Sequence, residues 1–328
     1  MNIGINVSDL EYDLMRDYAK RAEVHGLDSV WVGETWGWEA FTLLGELSEL
    51  TEEITLGTGI VPVYTRSPAL LGQAAATAAE STGGRFVMGL GTSGPAVIEN
   101  WHGEEFERPI GYTAETIDVI RQVLSGETVS HDGEAFELDG FRFRAQRQTR
   151  DVPLYVGALG ESNVRMSGAV ADGWMPIFIP RTRIEELYEE FADSAEQRGR
   201  DPATLSVAPN TVAAISEDGE KARDAVRHHI AFYIGAMGEF YHRTLTDAGF
   251  GDNADAIRSA WHQEGPEAAA ETVSDEVLEQ TTIAGTPTEA HEQLDAFEDT
   301  PADEMHLFFP RSAGVELMES TIDHLGTY

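Results

Sequence analysis

"RFVMGLGTSGP", residues Arg85 to Pro95, reads as a buried strand that runs straight into Gly89-Leu90-Gly91-Thr92-Ser93-Gly94. The spacing is G-x-G-x-x-G, which after a strand is the fingerprint of a dinucleotide-binding turn. A dinucleotide fold also needs a second strand after the helix, ending in an acid about 20 residues beyond the glycines. Here that distance falls in "NWHGEEFERPIGYTAETIDVIRQVL", where Glu115 lies inside a helical pattern. Three strand-like runs also precede this one, whereas the fingerprint belongs to the first βα turn. Two other jobs are open to the glycines: letting the chain turn at a barrel rim, or letting a flat ligand approach the backbone.

Outward from this stretch, short apolar runs alternate with amphipathic segments. The runs are Ile3–Val7, Ser29–Val32, Ile54–Ile60, Phe86–Gly91, Pro153–Ala158, Trp174–Ile179, Leu205–Ile215 and Met305–Phe309. Eight such runs separated by helical patterns predict an α/β fold, a (β/α)8 TIM barrel, with residues 1–328 as one domain. Helix starts are marked by two apparent capping boxes, Ser8-Asp9-Leu10-Glu11 and Thr286-Pro287-Thr288-Glu289, and by the cap-then-proline pair Ser67-Pro68. "ETVSHDGEAFELDGFRFRA", Glu127 to Ala145, alternates apolar and polar residues around Asp132-Gly133. It predicts a β-hairpin inserted before the fifth strand. Residues 235–280 predict extra helices inserted before the last βα unit.

Composition bounds the chemistry. The 328 residues include 58 acids against 22 bases, a formal net charge of −36, and only two lysines, Lys20 and Lys221. The acids are spread through "EDGEKARD", "EELYEEFADSAEQ" and "EDTPADE". Concentrated counterions screen such self-repulsion over a few ångströms, so the expectation is a halophilic protein of a salt-loaded cytoplasm. Nucleic acid and anionic membranes are poor partners for this surface. No basic-then-apolar leader opens the chain and no long apolar run interrupts it, which again points to a cytoplasmic location. With no cysteine, disulfides, thiol nucleophiles and iron–sulfur clusters are excluded, and any redox chemistry falls to a bound organic cofactor. His228, His229 and His242 lie on helical patterns without a carboxylate at ligand spacing, so no metal site is expected.

Read together, the strand-end segments carry a family resemblance. "GLDSVWVGETW" (Gly26–Trp36), "ITLGTGIVPVYTRSPALLGQAAATAAESTGGRFVMGLGTSG" (Ile54–Gly94), "PLYVGALGESNVRMSGAVADGW" (Pro153–Trp174) and "IAGTPTEAHEQL" (Ile283–Leu294) resemble the bacterial-luciferase-like monooxygenase superfamily. The match is to its branch that uses the deazaflavin coenzyme F420, and within it to the methylenetetrahydromethanopterin reductases of one-carbon metabolism. The resemblance implies a barrel with the cofactor at the carboxyl ends of the strands, in a homodimer. It also implies a non-prolyl cis peptide at Gly59–Ile60, with Thr58, Gly59 and Ile60 against the ring. Gly91, Thr92 and Ser93 would lie beside the cofactor. The backbone of Gly157, Ala158, Leu159 and Gly160 would meet its phosphate-bearing side chain. Where many members carry Asp-His at the end of strand two, this chain has Glu34-Thr35-Trp36.

The expected reaction is hydride transfer between reduced F420 and a small organic substrate, concretely a 5,10-methylene-tetrahydromethanopterin or -tetrahydrofolate reductase. FMN or NAD(P)H are the alternative carriers. Two further functions are an FMN-dependent monooxygenase with a partner reductase and a non-catalytic flavin- or pterin-binding barrel. Glu34 is the candidate catalytic carboxylate, because barrel chemistry sits at strand carboxyl ends; capping the next helix or pairing with Arg66 is its structural alternative. Trp36, Trp38 and Trp101 could stack an aromatic substrate. His102 could replace the missing relay histidine, and Arg66 could meet an anionic group.

Overall fold

The computed structural model describes residues 1–145 and 151–328. Its strands are β1 (Asn2–Asn6), β2 (Ser29–Val32), β3 (Thr55–Pro62), β4 (Phe86–Gly91), β5 (Val129–Asp132), β6 (Glu137–Phe141), β7 (Leu154–Val156), β8 (Gly173–Trp174), β9 (Ser206–Val207), β10 (Asn210–Ile215), β11 (Ile283–Gly285) and β12 (Glu304–Phe308). The main sheet has the order β11-β10-β12-β1-β2-β3-β4-β7-β8-β9, and all its pairs are parallel.

That ladder closes on itself. β9 pairs with β8 through Ser206 and Val207, while β10, two residues further on, pairs with β12 through Asn210, Thr211 and Val212. The run expected as one strand over Leu205–Ile215 is therefore one stave, broken at Ala208-Pro209 because proline has no N–H for the ladder. The ring has eight staves among the described residues, β11 being attached outside β10. The run expected over Trp174–Ile179 stops at Trp174; Pro176 interrupts it, and only Ile177 bridges onward, to Asn210.

Alternation on the staves divides the core. Ile3, Ile5 and Val7 face the surrounding helices in the large apolar layer, and Trp31, Tyr155, Met175 and Ala208 cluster inside the ring. His306 packs on Trp31 at 3.9 Å with the rings tilted by 30° and bonds Glu304 at 3.1 Å, and Tyr155 donates to the same carboxylate at 2.8 Å. Burial lowers the His306 pKa despite the adjacent Glu304 carboxylate, which pulls it up. This polar floor lies at the start of β12, so the carboxyl-terminal mouth is the end open to chemistry.

Both insertions form. β5 and β6 are an antiparallel hairpin before β7, closed by Gly133 N–H donating to Phe136 O. Helices Glu239–Leu245, Gly251–Gln263, Pro266–Thr272 and Asp275–Thr281 build the second insertion. Ser67 caps Pro68–Ser81, and Thr286 with Glu289 makes the complete capping box of Pro287–Glu298. The box expected at Ser8–Glu11 does not exist: Glu11 is the N-cap and its side chain makes no capping bond. Ser8 is instead turned back to accept from Gly33 N–H at 2.6 Å, tying the exits of β1 and β2 together. No helix among the described residues is long and apolar enough to cross a membrane.

Candidate active site at the barrel mouth

β3 carries the feature around which the mouth is built. Its pairing with β4 runs in register to Thr58, slips, and resumes at Val61, and the peptide bond between the two intervening residues, Gly59 and Ile60, is cis. Three hydrogen bonds fix this bulge. Asn6 Nδ2 donates to Gly59 O at 3.1 Å, Glu34 N–H donates to Ile60 O at 2.8 Å, and Thr58 Oγ1 donates to Gly89 O at 2.8 Å. The neighbouring backbones come so close that a Cβ on Gly33 would lie 2.5 Å from Gly59 O, and one on Gly89 would lie 2.1 Å from Thr58 O. Those glycines are required by packing alone.

Gly91 and Gly157 have a different neighbour. A Cβ on Gly91 would sit 2.9 Å from Ile60 Cδ1, and one on Gly157 would sit 3.5 Å from Ile60 Cγ2. The half-buried Ile60 side chain therefore occupies the slot that the two strand exits leave open. Thr58 is wholly buried and its hydroxyl is committed to Gly89, so it braces the bulge from behind. Beyond Gly91 the chain takes a left-handed turn at Ser93, with φ 56°, and enters the helical turn that bears Trp101 and His102, both exposed. Ala158 O accepts from Trp174 Nε1 at 2.9 Å, Leu159 is half-buried, and Gly160 is the N-cap of helix Glu161–Val170, which no side chain caps.

Glu34, at the exit of β2, is engaged on every side. Arg66 Nη1 and Nη2 donate to its two oxygens at 2.7 Å each, and Ala40 N–H donates to Oε1 at 2.9 Å. Arg66 also reaches Glu39 and lies 5.1 Å above the ring of Phe41. The hydrogen bond to Glu34 raises the Arg66 pKa still further. Trp36 and Trp38 beyond it are half exposed, and Trp38 packs edge-on against Tyr12.

The other wall is aromatic and comes from elements the sequence did not single out as a group. Phe178, left-handed at φ 52°, meets Phe308 at 5.1 Å, Tyr233 at 4.6 Å and Tyr241 at 5.9 Å. His229 stacks on Tyr233 at 4.8 Å and 14°, and its Nδ1 accepts from Arg311 N–H at 3.1 Å. Asn6 and Phe308 are register partners on β1 and β12, so this wall and the bulge stand at one level. Among the described residues no group of three or more His, Asp or Glu is placed to hold a metal ion.

A barrel whose third stave carries this bulge can be set against known families. The profile of the luciferase-like monooxygenases matches residues 4–304. The chain belongs to that family. Among the relatives of this luciferase-like barrel is a 5,10-methylenetetrahydromethanopterin reductase of Archaeoglobus fulgidus, 28% identical over 302 residues that cover 90% of this chain and 89% of the relative. A second enzyme of the same name, from Methanolobus tindarius, is 33% identical over 66% of each chain. In fold, the coenzyme F420-dependent tetrahydromethanopterin reductase of Methanopyrus kandleri superposes with a TM-score of 0.85, 22% identity, and coverage of 99% and 97%.

In this luciferase-like barrel Gly59, Ile60 and Gly91 lie together at the bulge with Thr58 behind it, and Asn6, Phe178, His229 and Phe308, which no sequence pattern groups with them, stand at the same mouth. Only Asn6 had a local signal. It follows Gly4 on the inward face of β1, where period-two alternation puts a polar residue at the strand's end.

Proposed function

We propose that this luciferase-like barrel is a coenzyme F420-dependent oxidoreductase, working as one domain over residues 1–328. It transfers a hydride between reduced deazaflavin and a small substrate, most concretely a 5,10-methylene-tetrahydromethanopterin or -tetrahydrofolate. The observation that carries the reading is the Gly59–Ile60 bulge, held by Asn6, Glu34 and Thr58 so that Ile60 faces the mouth. A flat tricyclic ring needs such a rigid apolar wall. Its anionic side chain needs N–H groups, and the start of helix Glu161–Val170, which no side chain caps, offers those between Gly157, whose own N–H is taken by Leu90 O, and Asn163, whose N–H is taken by Gly160 O. The residues present fit the cofactor on both counts, and relatives at 28% and 33% identity carry the reductase name.

When bound, the deazaflavin supplies a hydride without a radical stage, so the reaction needs no oxygen. The protein's part is positioning. Ile60 would back one face of the ring, and the aromatic wall of Phe178, Phe308 and Tyr233 would face the substrate across the mouth. Glu34, locked to Arg66, acts as a fixed carboxylate near the reacting centre, suited to steady developing positive charge. With both oxygens engaged it is poorly suited to carrying a proton. Trp36, Trp101 and His102, exposed around the rim, are assigned to the substrate's outer parts.

The reading includes a homodimer of a salt-adapted cytoplasmic enzyme. Exposed Phe141, 84% accessible, lines with Ala69, Val129, Leu138 and Phe143 an apolar groove between helix Pro68–Ser81 and the hairpin that would seat a second chain; light scattering tests this.

The decisive experiment is anaerobic incubation in high salt with reduced F420 and methylene-tetrahydromethanopterin, followed by deazaflavin absorbance. Oxidation of F420 dependent on the pterin is expected. Retention of FMN in place of F420, with turnover only in oxygen, would replace this reading with a monooxygenase.

A further inference from the structure

Arg311 follows the end of β12 on the loop that leaves the barrel mouth. It is exposed, and no carboxylate among the described residues pairs with it. By contrast, Arg66 at the exit of β3 is closed by Glu34 and Glu39, and Arg183 by Glu161 and Glu186. With 58 acids available to 22 bases, a guanidinium left without a partner at the mouth calls for an explanation.

This guanidinium is also held in place. The Arg311 backbone N–H donates to His229 Nδ1 at 3.1 Å, and Ser312 Oγ donates to Ala225 O at 3.4 Å. His229 is buried, and burial with the nearby Arg311 charge lowers its pKa to about 3, so it remains a neutral acceptor. The guanidinium carbon lies 4.4 Å from the centre of the Phe232 ring. A cation laid over a ring keeps its N–H edge free, and in arginine that edge is a planar fork matched to the oxygens of a carboxylate or phosphate.

Phe308, the last residue of β12, is the register partner of Asn6, which holds the bulge, so Arg311 stands at the rim beyond that level. Asp9, on the loop after β1, and Arg311 act with opposite sign on the Tyr233 hydroxyl, which puts both charges around one edge of the aromatic wall. The helix start offered to the cofactor's anionic side chain follows β7, and β8 and the β9–β10 stave separate β7 from β12. Arg311 is therefore spare for a second anion. A surface of net charge −36 repels anions at long range, so an anionic substrate needs a fixed local cation to be held.

We infer that Arg311 is a substrate-binding residue, whose guanidinium takes a carboxylate or phosphate at the end of the substrate remote from the reacting centre. The substrate class is then a heterocycle with an anionic tail, and the inference rests on the proposed function for the heterocycle. His229 and Phe232 position the arginine for this contact.

Calorimetric titration in high salt, without F420, compares tetrahydromethanopterin, which carries an anionic tail, with 6-methyltetrahydropterin, which has none. Arg311→Gln keeps the backbone N–H for His229, and its melting temperature should match that of the unsubstituted protein. It is expected to bind tetrahydromethanopterin about tenfold more weakly, the size of one charged hydrogen-bonded contact. Arg311→Lys, which keeps the charge, should bind within about threefold of the unsubstituted protein. 6-Methyltetrahydropterin should bind the Gln variant and the unsubstituted protein alike, or register in neither. Equal binding of tetrahydromethanopterin by those two proteins, an equal loss for both pterins, or no tetrahydromethanopterin binding at all overturns the inference. If binding depends on Arg311 but no hydride passes from reduced F420 to the methylene form, the proposed function fails and the role of Arg311 stands. If hydride passes with the same KM in Arg311→Gln, the proposed function stands and the role of Arg311 falls.

Discussion

Glu34 and Arg66 meet as a two-pronged ion pair across the exits of β2 and β3, both contacts at 2.7 Å, with side-chain exposures of only 13% and 16%. The same Glu34 contributes its N–H to the bulge through Ile60 O. The pair therefore joins the charge at the mouth to the wall behind the cofactor. Removing the cation alone leaves a largely buried carboxylate uncompensated, so Arg66→Ala should destabilise the fold by about 3 kcal/mol. Glu34→Gln, which keeps an oxygen for Ala40 N–H, should cost less in stability. It should lower kcat at least tenfold while leaving the F420 dissociation constant within about threefold. Thermal melts with steady-state kinetics on both variants check this, and unchanged turnover in Glu34→Gln would remove the carboxylate from the chemistry.

The glycines of the opening stretch divide into two kinds, and substitution should separate them. Gly89→Ala drives a methyl into Thr58 O, a backbone atom that cannot step aside, and should cost about 2 kcal/mol or more in stability. Gly91→Ala meets only the Ile60 side chain, Cδ1 at 2.9 Å and Cγ1 at 3.0 Å, and no backbone atom. It should fold nearly as well but push Ile60 into the ring's space and weaken F420 binding about tenfold. Adding Ile60→Val to Gly91→Ala should restore much of that affinity. Denaturant melts and deazaflavin titration read the two effects separately.

The barrel was legible because its signals are local: apolar runs of strand length, Ser67-Pro68, and the Thr286 to Glu289 box. Ser8–Glu11 has the same spelling as a capping box, but Ser8 is taken by Gly33, on a strand distant in sequence, and no local pattern shows that competition. The bulge could be placed at Gly59–Ile60 because the resemblance carried it there residue by residue. Its reason, backbone contacts of Gly33 and Gly89 with β3, is visible only when three strands lie side by side. The aromatic wall was not legible at all. Phe178, His229 and Phe308 come from three separate elements, and helix Gly219–Ala236 must fold over the end of β12 before they meet.

His131 ties the hairpin to helix Pro109–Ser125, bonding Asp118 at 2.9 Å and Glu115 at 3.2 Å, with Arg108 and Glu134 next to the same cluster. Burial pulls its pKa down, but the bonds and charges of Glu115 and Asp118 outweigh that and raise it above 6.5. A raised folded pKa means that the protonated histidine stabilises the fold fully below about pH 6.5, and that this contribution fades as pH rises through the raised value. Glu115, held low mainly by backbone N–H bonds and His131 against its own burial, changes charge only in acid, outside this window. Hydrogen exchange across Val129–Phe141 should therefore quicken between pH 6 and pH 9 by more than the intrinsic rate does. In His131→Gln that excess should vanish, and an excess that survives the substitution would assign it to another group.

The net charge of −36 makes the salt response a sharp test. Acids such as Glu185, Glu186 and Glu189 line the exposed side of helix Arg181–Gln197, and few arginines are left to offset them. Screening weakens the surface ion pairs as well as the repulsion, but exposed pairs are each worth about 1 kcal/mol or less. Repulsion among the uncompensated acids spans the whole surface and dominates when the screening length is about 10 Å, at 0.1 M salt. At 1 M that length falls to about 3 Å, and only near neighbours still repel. Melting temperature should accordingly rise steeply with KCl from 0.1 M to about 1 M and flatten beyond it. Sucrose, which favours compact states without screening, should not reproduce the steep phase. The double substitution Glu185→Lys and Glu189→Lys should raise the melting temperature in low salt and reduce the slope. A melting temperature that falls with KCl would show that attraction between paired charges outweighs repulsion, and would end the reading of this surface as salt-adapted.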